Sequence, residues 1–339
     1  MLIDKWIQQK IGLHSADRLS REKLEAYQLL MLKDTLAFAK QNSRFYSEHL
    51  KDVDFQDSVK SLKHVAKLPF MTQDVVKSRA SDMVCVPQSQ ISRIVTLNTS
   101  GSTGEPKRVF FTERDQELTI DYFHHGMQVM TKPGDVFMIL IPGKTPGSVG
   151  DLLKQGLERG GIKVIPYGYP ASDEGQDAEV LEIIKSERVT SLVGTPPATA
   201  RLAAKSAGRG IKVRTALITS EFVSQDNVDI IEKNWDCEVF EHYGMTETGL
   251  GGAMACGSHH GYHPREADLL FEVIDPDTED VLEDGQWGEL VLTTLTRKAM
   301  PFIRYKTGDM TRWIPGRCPC GSLLKRLDRI GDRNAVKSY

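Results

Sequence analysis

The spacing of apolar residues first indicates a long helix near the N-terminus. Between residues 20 and 41 the side chains of Leu24, Tyr27, Leu30 and Leu32 lie broadly toward one side of a helix. Ser20 stands just before this stretch, where a hydroxyl can accept a hydrogen bond from the first turn. The pattern therefore predicts a helix that packs its apolar side against the rest of the chain.

From about residue 90 the pattern changes to short apolar runs separated by amphipathic stretches. Strands that alternate with helices at this spacing predict βαβ units and a largely parallel sheet. Functional groups are then expected in the loops beyond the carboxyl ends of the strands. The predicted strands are ISRIVTLN, KRVFFTE, DVFMILIP, IKVIPYG, SLVGTP, TALITS and CEVFEHYG.

A third pattern begins after about residue 265. LLFEVIDPDTEDVLEDGQWGELVLTTL contains two apolar runs around the turn residues Asp-Pro-Asp and Glu-Asp-Gly. This arrangement is typical of antiparallel strands in a small barrel or sheet. The predicted fold is therefore α/β: a two-lobed body over residues 1–260, with largely parallel sheets flanked by helices, and a small antiparallel β subdomain over residues 261–325.

The composition limits the classes of protein that fit this pattern. The chain has 339 residues, enough for about two domains. Its 43 basic and 46 acidic residues give a formal charge of −3, which argues against a protein that mainly coats nucleic acid or an anionic membrane. Five cysteines are too few and too scattered for a disulfide framework, and the N-terminus lacks the apolar core of a signal peptide. We therefore expect a cytoplasmic protein.

The segment from Thr99 to Lys107 is rich in glycine and hydroxyl residues. Glycines let the backbone approach an anion closely, amides and hydroxyls donate hydrogen bonds, and Lys107 adds positive charge. The segment is not a Walker A loop, because Pro106 precedes the lysine and a predicted strand follows it. Composition alone leaves two interpretations open, a phosphate-binding loop and a flexible surface hairpin.

Two further motifs follow this loop, HYGMTET from His242 to Thr248 and RYKTGD from Arg304 to Asp309. The three segments in this order resemble the adenylate-forming superfamily of acyl-CoA synthetases, luciferases and peptide synthetases. LAFAKQNSRFYSEHL, KLPFMTQDVV and AMPFIRYKTGDMTRWIPGRCPCGS are similar to its phenylacetate–CoA ligase branch. The resemblance covers essentially the whole chain and implies an AMP-forming ligase.

The resemblance implies a site for ATP and Mg²⁺. A carboxylic acid is already ionised at neutral pH, so its activation requires alignment and charge neutralisation rather than a general base. Lys107, Thr246 and Glu247 would be the catalytic residues. Thr246 would bond the α-phosphate, and Glu247 would ligate Mg²⁺, which prefers carboxylate oxygen. The β- and γ-phosphates would be held by Ser100, Gly101, Ser102, Thr103, Gly104 and Lys107.

The resemblance also implies how the adenosine part is bound. Tyr243, followed by Gly244, would stack on adenine. Asp309 would accept hydrogen bonds from both ribose hydroxyls, and Arg333 would reach the ribose or a phosphate. Where the family often has a glycine- or alanine-containing loop at the adenine edge, this sequence has Ser220 and Glu221.

Cysteines and histidines near the C-terminus form a candidate metal site. Cys318-Pro-Cys320 places two thiols at a turn, and the stretch from Cys256 to His263 offers a third thiol and three histidines. Three cysteines and one histidine make a closed tetrahedral set for structural Zn²⁺. The residues alone also allow free thiols, and they leave open which histidine takes part. The resemblance favours His263, because some relatives have a cysteine and a histidine at the same spacing.

The family's mobile C-terminal lid is a part that this sequence is expected to lack. In the family the lid begins just after the arginine equivalent to Arg333, whereas this sequence ends at Tyr339 and has Ala335 where relatives have a hinge aspartate. We expect residues 1–333 to form the AMP-binding large domain and residues 334–339 a truncated hinge. The lid's lysine would then come from a separate protein, or be replaced by a cation such as Lys107 or Lys337.

Three functions remain open at this point. The first is activation of an aryl or other small carboxylic acid as an acyl-adenylate, with transfer to a thiol such as CoA, an amine or a hydroxyl. The second is adenylyl transfer to a hydroxyl of a coenzyme or metabolite, and the third is nucleotide binding without catalysis. The resemblance would place the acid pocket between Phe123-His124, Gly194–Pro197 and the loop before Tyr243. A homodimer is compatible with the family.

Overall fold

The computed structural model describes residues 2–14, 16–53, 59–97, 106–169 and 174–331. The α-helices in this part of the chain are α1 (Leu2–Lys10), α2 (Arg21–Asn42), α3 (Arg44–His49), α4 (Gln73–Arg79), α5 (Glu113–Gly126), α6 (Val149–Arg159), α7 (Asp177–Ser186), α8 (Pro196–Lys205) and α9 (Gln225–Trp235). Short 3₁₀ helices cover Leu62–Lys67, Ala80–Met83, Gln88–Gln90, Met127–Val129 and Glu174–Gln176.

The strands form three sheets. A hairpin contains β1 (Arg93–Leu97) and β2 (Lys107–Phe111). The largest sheet contains β3 (Val136–Ile139), β4 (Lys163–Pro166), β5 (Ser191–Gly194), β6 (Thr215–Ile218), β7 (Glu238–Tyr243), β8 (Ala253–Ala255) and β9 (Tyr262–Pro264). The third sheet contains β10 (Leu269–Ile274), β11 (Gly288–Thr294) and β12 (Tyr305–Thr311).

The seven-stranded sheet has the order β4-β3-β5-β6-β7-β8-β9. Strands β3 to β7 are parallel, and β8 and β9 extend the edge as antiparallel strands. Every residue of β5 and β6 is buried, as expected for parallel strands that are covered on both faces. The prediction of an α/β fold with a largely parallel sheet is therefore confirmed.

Two hydrophobic clusters cover the two faces of this sheet. On one face, side chains of α1, α5 and α6 pack against Ile139, Val193 and Phe240. On the other face, side chains of α7, α8 and α9 pack against residues such as Met138 and Leu192. The alternating side-chain directions of each strand thus supply one residue set to each helical layer.

A third core lies outside the seven-stranded sheet. It joins α2, α3 and α4 to the β1–β2 hairpin and to the antiparallel sheet of β10, β11 and β12. The antiparallel strands expected after residue 265 are therefore present. This core connects the N-terminal helices to strands that come more than 200 residues later in the sequence, for example through the bond from Thr35 Oγ1 to the Leu295 carbonyl.

Helix α2 confirms the first helix prediction, and Leu24 and Leu32 are buried on its predicted apolar side. Ser20 caps it, since the hydroxyl accepts a hydrogen bond from Lys23 N at 3.3 Å. Leu30, expected to be buried, is 55% exposed, whereas Gln28 is buried and donates to the Glu266 carbonyl at 2.8 Å.

The helices of the described part of the chain, including this 22-residue one, do not have the combined length and apolar character needed to cross a membrane.

One buried ion pair joins the N-terminal segment to the antiparallel sheet. The Arg304 guanidinium, 2% exposed, donates two 3.1 Å hydrogen bonds to the Glu272 carboxylate. It also donates to the carbonyls of Ala66 and Leu68, both at 2.8 Å, and lies over the Phe70 ring. Burial raises the pKa of Glu272, with the nearby guanidinium opposing that shift. Arg304 thus both compensates a desolvated charge and satisfies two carbonyls.

Replacing Arg304 by alanine should therefore destabilise the fold strongly. The variant Arg304→Ala leaves Glu272 buried without its counter-charge, so we expect a loss of about 3–5 kcal/mol in the free energy of unfolding, measured by urea titration. The matched control is Arg159→Ala, which breaks the exposed pair with Glu117 and should cost at most about 1 kcal/mol. Equal effects of the two substitutions would contradict the structural role given to Arg304.

Candidate active site

A tight turn follows β7 and shapes the site. Gly244 has no space for a side chain, because a Cβ there would lie 2.5 Å from the Leu250 carbonyl oxygen. Beyond it, Thr248 Oγ1 accepts a hydrogen bond from Met245 N at 3.0 Å, and Leu250 N closes the turn on the Met245 carbonyl at 2.9 Å. The buried residues Thr246 and Glu247 lie within this turn, at the carboxyl end of a parallel strand.

Two buried arginines hold the same turn from behind. Arg297 donates to the Glu247 carbonyl at 3.0 Å and to the Phe110 carbonyl at 3.0 Å, and Arg265 donates to the Thr248 carbonyl at 2.6 Å. Burial lowers the pKa of Arg297 to about 10, so its guanidinium remains charged at neutral pH. The turn therefore has a fixed backbone position relative to the hairpin strand β2.

The Glu247 carboxylate is almost completely buried, at 1% exposure. Its Oε1 atom accepts a hydrogen bond from Lys107 Nζ, whose residue is 5% exposed, and another from the Tyr305 hydroxyl at 3.1 Å. Burial is the main cause that raises the pKa of Tyr305, so this phenol stays protonated and can donate. The carboxylate thus receives one charged donor and one neutral donor.

Tyr243 and Asp309 form the second contact of the site. The Tyr243 hydroxyl donates to Asp309 Oδ2 at 2.7 Å, and Asp309 N donates to Thr307 Oγ1 at 3.1 Å. Burial raises the pKa of Asp309, and the negative charge of Glu247 adds to that shift. Asp309 is therefore a partly desolvated carboxylate, with one oxygen taken by the phenol.

The structure brings several of the predicted residues together. Lys107 contacts Glu247, and Tyr243 contacts Asp309. Gly244 and Thr246 lie on the turn that joins Tyr243 to Glu247. The side chains of Ser220 and Glu221 are exposed just beyond β6, and Ser220 has a positive φ of 75°. The remaining predicted residues lie outside the described part of the chain: Ser100, Gly101, Ser102, Thr103, Gly104 and Arg333.

Three residues of the site were not assigned a role from the sequence. Tyr305 stands inside the RYKTGD motif, but its bond to Glu247 joins positions 58 residues apart. Arg265 and Arg297 donate their hydrogen bonds to backbone carbonyls, which belong to the turn and to residues far away in sequence, so no spacing of side chains reveals them. The sequence shows these arginines only as charged residues next to apolar strands. That pattern is the same for an arginine that supports a turn and for one on the surface.

A cavity of about 490 Å³ is lined by residues of β7, of β9 and of the C-terminal segment. Glu241, two residues before Tyr243 on β7, lines it and accepts a hydrogen bond from the Tyr262 hydroxyl. Residues of the C-terminal segment close the opposite wall, among them Arg312, Asp328 and Arg329. The cavity is therefore polar and lies between the large sheet and the antiparallel subdomain.

The predicted cysteine and histidine set is assembled in space. The ligand atoms of Cys256, His263, Cys318 and Cys320 all lie within 4.8 Å of one another. The sulfurs of Cys256 and Cys318 are 3.6 Å apart, and Cys320 Sγ is 3.4 Å from His263 Nε2. His263 Nδ1 lies 3.1 Å from the Lys325 carbonyl, which leaves Nε2 directed at the thiols.

Comparison with known proteins agrees with this geometry. The family profile described as AMP-binding enzyme matches residues 25–296. Phenylacetate-coenzyme A ligase from Pseudomonas putida is 30% identical over 340 residues, which cover 95% of this chain and 75% of that protein. The enzyme of the same name from Escherichia coli (strain K12) is 29% identical, with 93% and 72% covered.

Solved structures with the same fold include 2-hydroxyisobutyryl-CoA ligase in complex with 2-HIB-AMP and CoA. It superposes with a TM-score of 0.83 at 23% identity, over 96% of this chain and 73% of that one. At this identity the likeness concerns the fold alone. The family match and the curated relatives show that this chain belongs to the AMP-binding enzyme family and is an AMP-forming ligase by descent.

The buried position of Asp309 leads to a test that separates stability from binding. Because its folded pKa is raised, ionised Asp309 opposes folding at neutral pH, and that cost disappears as the pH falls toward the ordinary carboxyl range. Asp309→Asn keeps an acceptor for Tyr243, so we expect a higher melting temperature at pH 7 and a smaller gain at pH 4. Affinity for ATP, measured by calorimetry, should fall about tenfold or more. A lower melting temperature with unchanged affinity would contradict this view.

Proposed function

We propose that the protein uses ATP and Mg²⁺ to activate a small carboxylic acid, with aryl acids as the first candidates, as an acyl-adenylate. The sulfur of a thiol such as that of CoA then attacks the acyl carbon, the bond from that carbon to the phosphate oxygen breaks, AMP leaves, and the thiol proton is released to solvent. The observation that carries this proposal is the buried contact of Glu247 with Lys107, next to the Tyr243–Asp309 pair, in a chain of the AMP-binding enzyme family. The names of the relatives, phenylacetate-coenzyme A ligases, support an aryl acid and CoA.

The first step needs little acid–base chemistry. A carboxylate oxygen of the substrate attacks the α-phosphorus of ATP, the bond from that phosphorus to the bridging oxygen breaks, and pyrophosphate leaves with the electron pair. No proton has to move, because the acid is already ionised. Thr246 is proposed to donate a hydrogen bond to an α-phosphate oxygen, and Lys107 to balance the charge on the departing phosphates.

The buried contact between Lys107 and Glu247 brings a cation and a carboxylate together at the proposed phosphate site. Glu247 fits Mg²⁺, because the carboxylate is a hard oxygen ligand held by a fixed turn. Bound Mg²⁺ supplies positive charge to the phosphates. Lys107, which contacts the same carboxylate, would add a second positive charge beside the phosphates. In the structure the opposite charges of Lys107 and Glu247 compensate each other in a buried position.

Asp309 and Tyr243 are proposed to bind the nucleoside. A carboxylate can accept both ribose hydroxyls, and Asp309 has one oxygen beyond the atom that Tyr243 contacts. The aromatic face of Tyr243 offers a surface for the base. Glu241, which lines the cavity of about 490 Å³, lies two residues before Tyr243 on β7 and therefore shares its face of the strand.

Variation at Glu247 tests the proposed reaction. With ATP, Mg²⁺ and a panel of aryl acids, the wild-type protein should exchange labelled pyrophosphate into ATP, and Glu247→Gln should lower the exchange about a hundredfold or more. Glu232→Gln, which changes an exposed acid on α9, is the matched control and should keep full activity. Absence of exchange with every acid would contradict acid activation. AMP attached to a hydroxyl product would indicate adenylyl transfer instead.

The cysteine–histidine set is proposed to hold a structural Zn²⁺. Two thiolates bound to one zinc at about 2.3 Å are separated by about 3.8 Å in a tetrahedral site, close to the 3.6 Å between Cys256 and Cys318. The four residues leave no position for a water ligand, which is typical of structural rather than catalytic zinc. Such an ion would join the β8–β9 edge of the large sheet to the turn at Cys318.

Metal analysis tests this site. The purified protein should contain about one zinc per chain by atomic emission, and the double variant Cys318→Ser, Cys320→Ser should lose it and melt at a lower temperature. Cys237→Ser is the control, because Cys237 is buried on a different face of the sheet and should not affect zinc content. Unchanged zinc in the double variant would refute the assignment.

A further inference from the structure

Two buried polar groups beside the candidate active site have no partner among the described residues. They are Nε2 of His242 and the hydroxyl of Tyr122. His242 is 7% exposed and Tyr122 is 0% exposed, so bulk water does not reach either side chain freely. Buried side-chain polar atoms in folded proteins nearly always have a hydrogen-bond partner. An unpaired buried pair therefore points to a ligand or a trapped water.

The two groups lie in one place. Their ring centroids are 6.5 Å apart, and the ring of Phe123 is 5.8 Å from that of His242. Gly251 allows this packing, because a Cβ there would lie 2.7 Å from Cδ1 of Tyr122. The apolar ring of Phe123 therefore lies beside the pair. His242 directly precedes Tyr243 in the sequence, and the turn that carries Glu247 follows.

The topology places this pair where substrates enter sheets of this kind. Strands β3 to β7 have the order β4-β3-β5-β6-β7, and ligands of such sheets bind at the carboxyl ends of the strands. Gly194, Thr219 and His242 stand at the carboxyl ends of the neighbouring strands β5, β6 and β7. The hydroxyl of Thr195, on the same edge, also has no partner among the described residues. The unpaired Thr195 hydroxyl and His242 Nε2 therefore lie at the edge of the sheet where a substrate is expected to bind.

The charge of His242 restricts what these groups can bind. Burial, with the nearby Arg265, lowers the pKa of His242 to about 4, so the imidazole is neutral at pH 7. Thr219 Oγ1 lies 3.0 Å from Nδ1, which fixes the ring and leaves Nε2 as the atom available to a ligand. A neutral imidazole and a phenol can each exchange a hydrogen bond with a hydroxyl. The positively charged Arg265 guanidinium lies 5.4 Å from the centre of the Tyr122 ring and donates to the carbonyls of Thr248 and Leu118. The imidazole and the phenol themselves therefore offer a ligand hydrogen bonds rather than charge.

We infer that the acid activated by this enzyme carries a hydroxyl group on its carbon body, and that His242 and Tyr122 bind that hydroxyl. The inference rests on the proposed function, because it names the class of acid for the same site. His242 and Tyr122 then act as specificity-determining residues. A site built to hydrogen-bond a substrate hydroxyl rejects the analogue without it, since the buried groups are left unpaired. The rival occupant is a trapped water, which would serve every acid equally.

Matched acids test the inference in the whole 339-residue chain. Pyrophosphate exchange is measured with phenylacetate and its three ring-hydroxylated forms, and with butyrate and 3-hydroxybutyrate. For the wild type we expect at least one hydroxylated acid to exceed its parent about tenfold or more in kcat/KM. His242→Leu and Tyr122→Phe should bring this ratio to about one, and His242→Gln, which keeps a hydrogen-bonding group, should restore part of it. The ratio within one variant cancels losses of folding or ATP binding.

The control is His49→Leu, which removes another histidine whose Nε2 has no partner among the described residues, but in a different core. It should leave the acid ratio unchanged. Equal use of parent and hydroxylated acids by the wild type, or a preference that survives His242→Leu, would overturn the inference while acid activation stands.

A second measurement separates this inference from the proposed function. Binding of the same acids is followed by calorimetry without ATP, so that it does not depend on adenylation. If no acid supports exchange, but a hydroxylated acid binds the wild type about tenfold more tightly than its parent and loses that advantage in Tyr122→Phe, the proposed activation fails while the binding of the hydroxyl by His242 and Tyr122 holds. If binding shows no such difference either, the inference is overturned as well.

Discussion

A buried carboxylate needs a matching positive charge, and Glu247 receives it from Lys107 where three sheets meet. Lys107 begins β2 of the hairpin, Glu247 lies on the turn after β7 of the large sheet, and Tyr305 begins β12 of the antiparallel sheet. Each sheet supplies one group to the contact, so no sheet could form it alone. The position of the candidate active site follows from this requirement.

The surroundings of that contact are built mainly from charged groups that bind backbone. Asp115, near the N-terminus of α5, accepts hydrogen bonds from Thr112 N, Lys298 N and Ala299 N at 2.8–2.9 Å. Arg297, which directly precedes Lys298, lies 4.1 Å from the centre of the Phe111 ring and donates a hydrogen bond to the Glu247 carbonyl. Side chains of opposite charge on neighbouring elements thus fix loops that would otherwise expose buried carbonyls and amides.

The sequence predicts well the features that depend on local pattern or on motif order. The parallel strands were readable because β5 and β6 consist mostly of apolar residues, and all of their residues are buried. Glu247 and Asp309 could be singled out because they stand in ordered motifs, and the roles given to them stay predictions. The buried side of α2 was readable at Leu24 and Leu32 but not at Gln28, which faces inward to meet the Glu266 carbonyl, a partner 238 residues away. His242 looked unremarkable in sequence, because its lack of a partner is a property of three-dimensional packing.

The hydrogen bonds that join the N-terminal helices to residues near 300 also have a consequence for protein synthesis. Thr35 donates to the Leu295 carbonyl and the Tyr46 hydroxyl to the Pro301 carbonyl, across 260 and 255 residues. On the ribosome the N-terminal helices emerge first, while the strands that cover them are made much later. Contacts of such long range form slowly, because a large loop must close before they contribute stability. The part of the enzyme that is translated first is therefore among the last to complete its packing, with its apolar faces exposed to chaperones meanwhile.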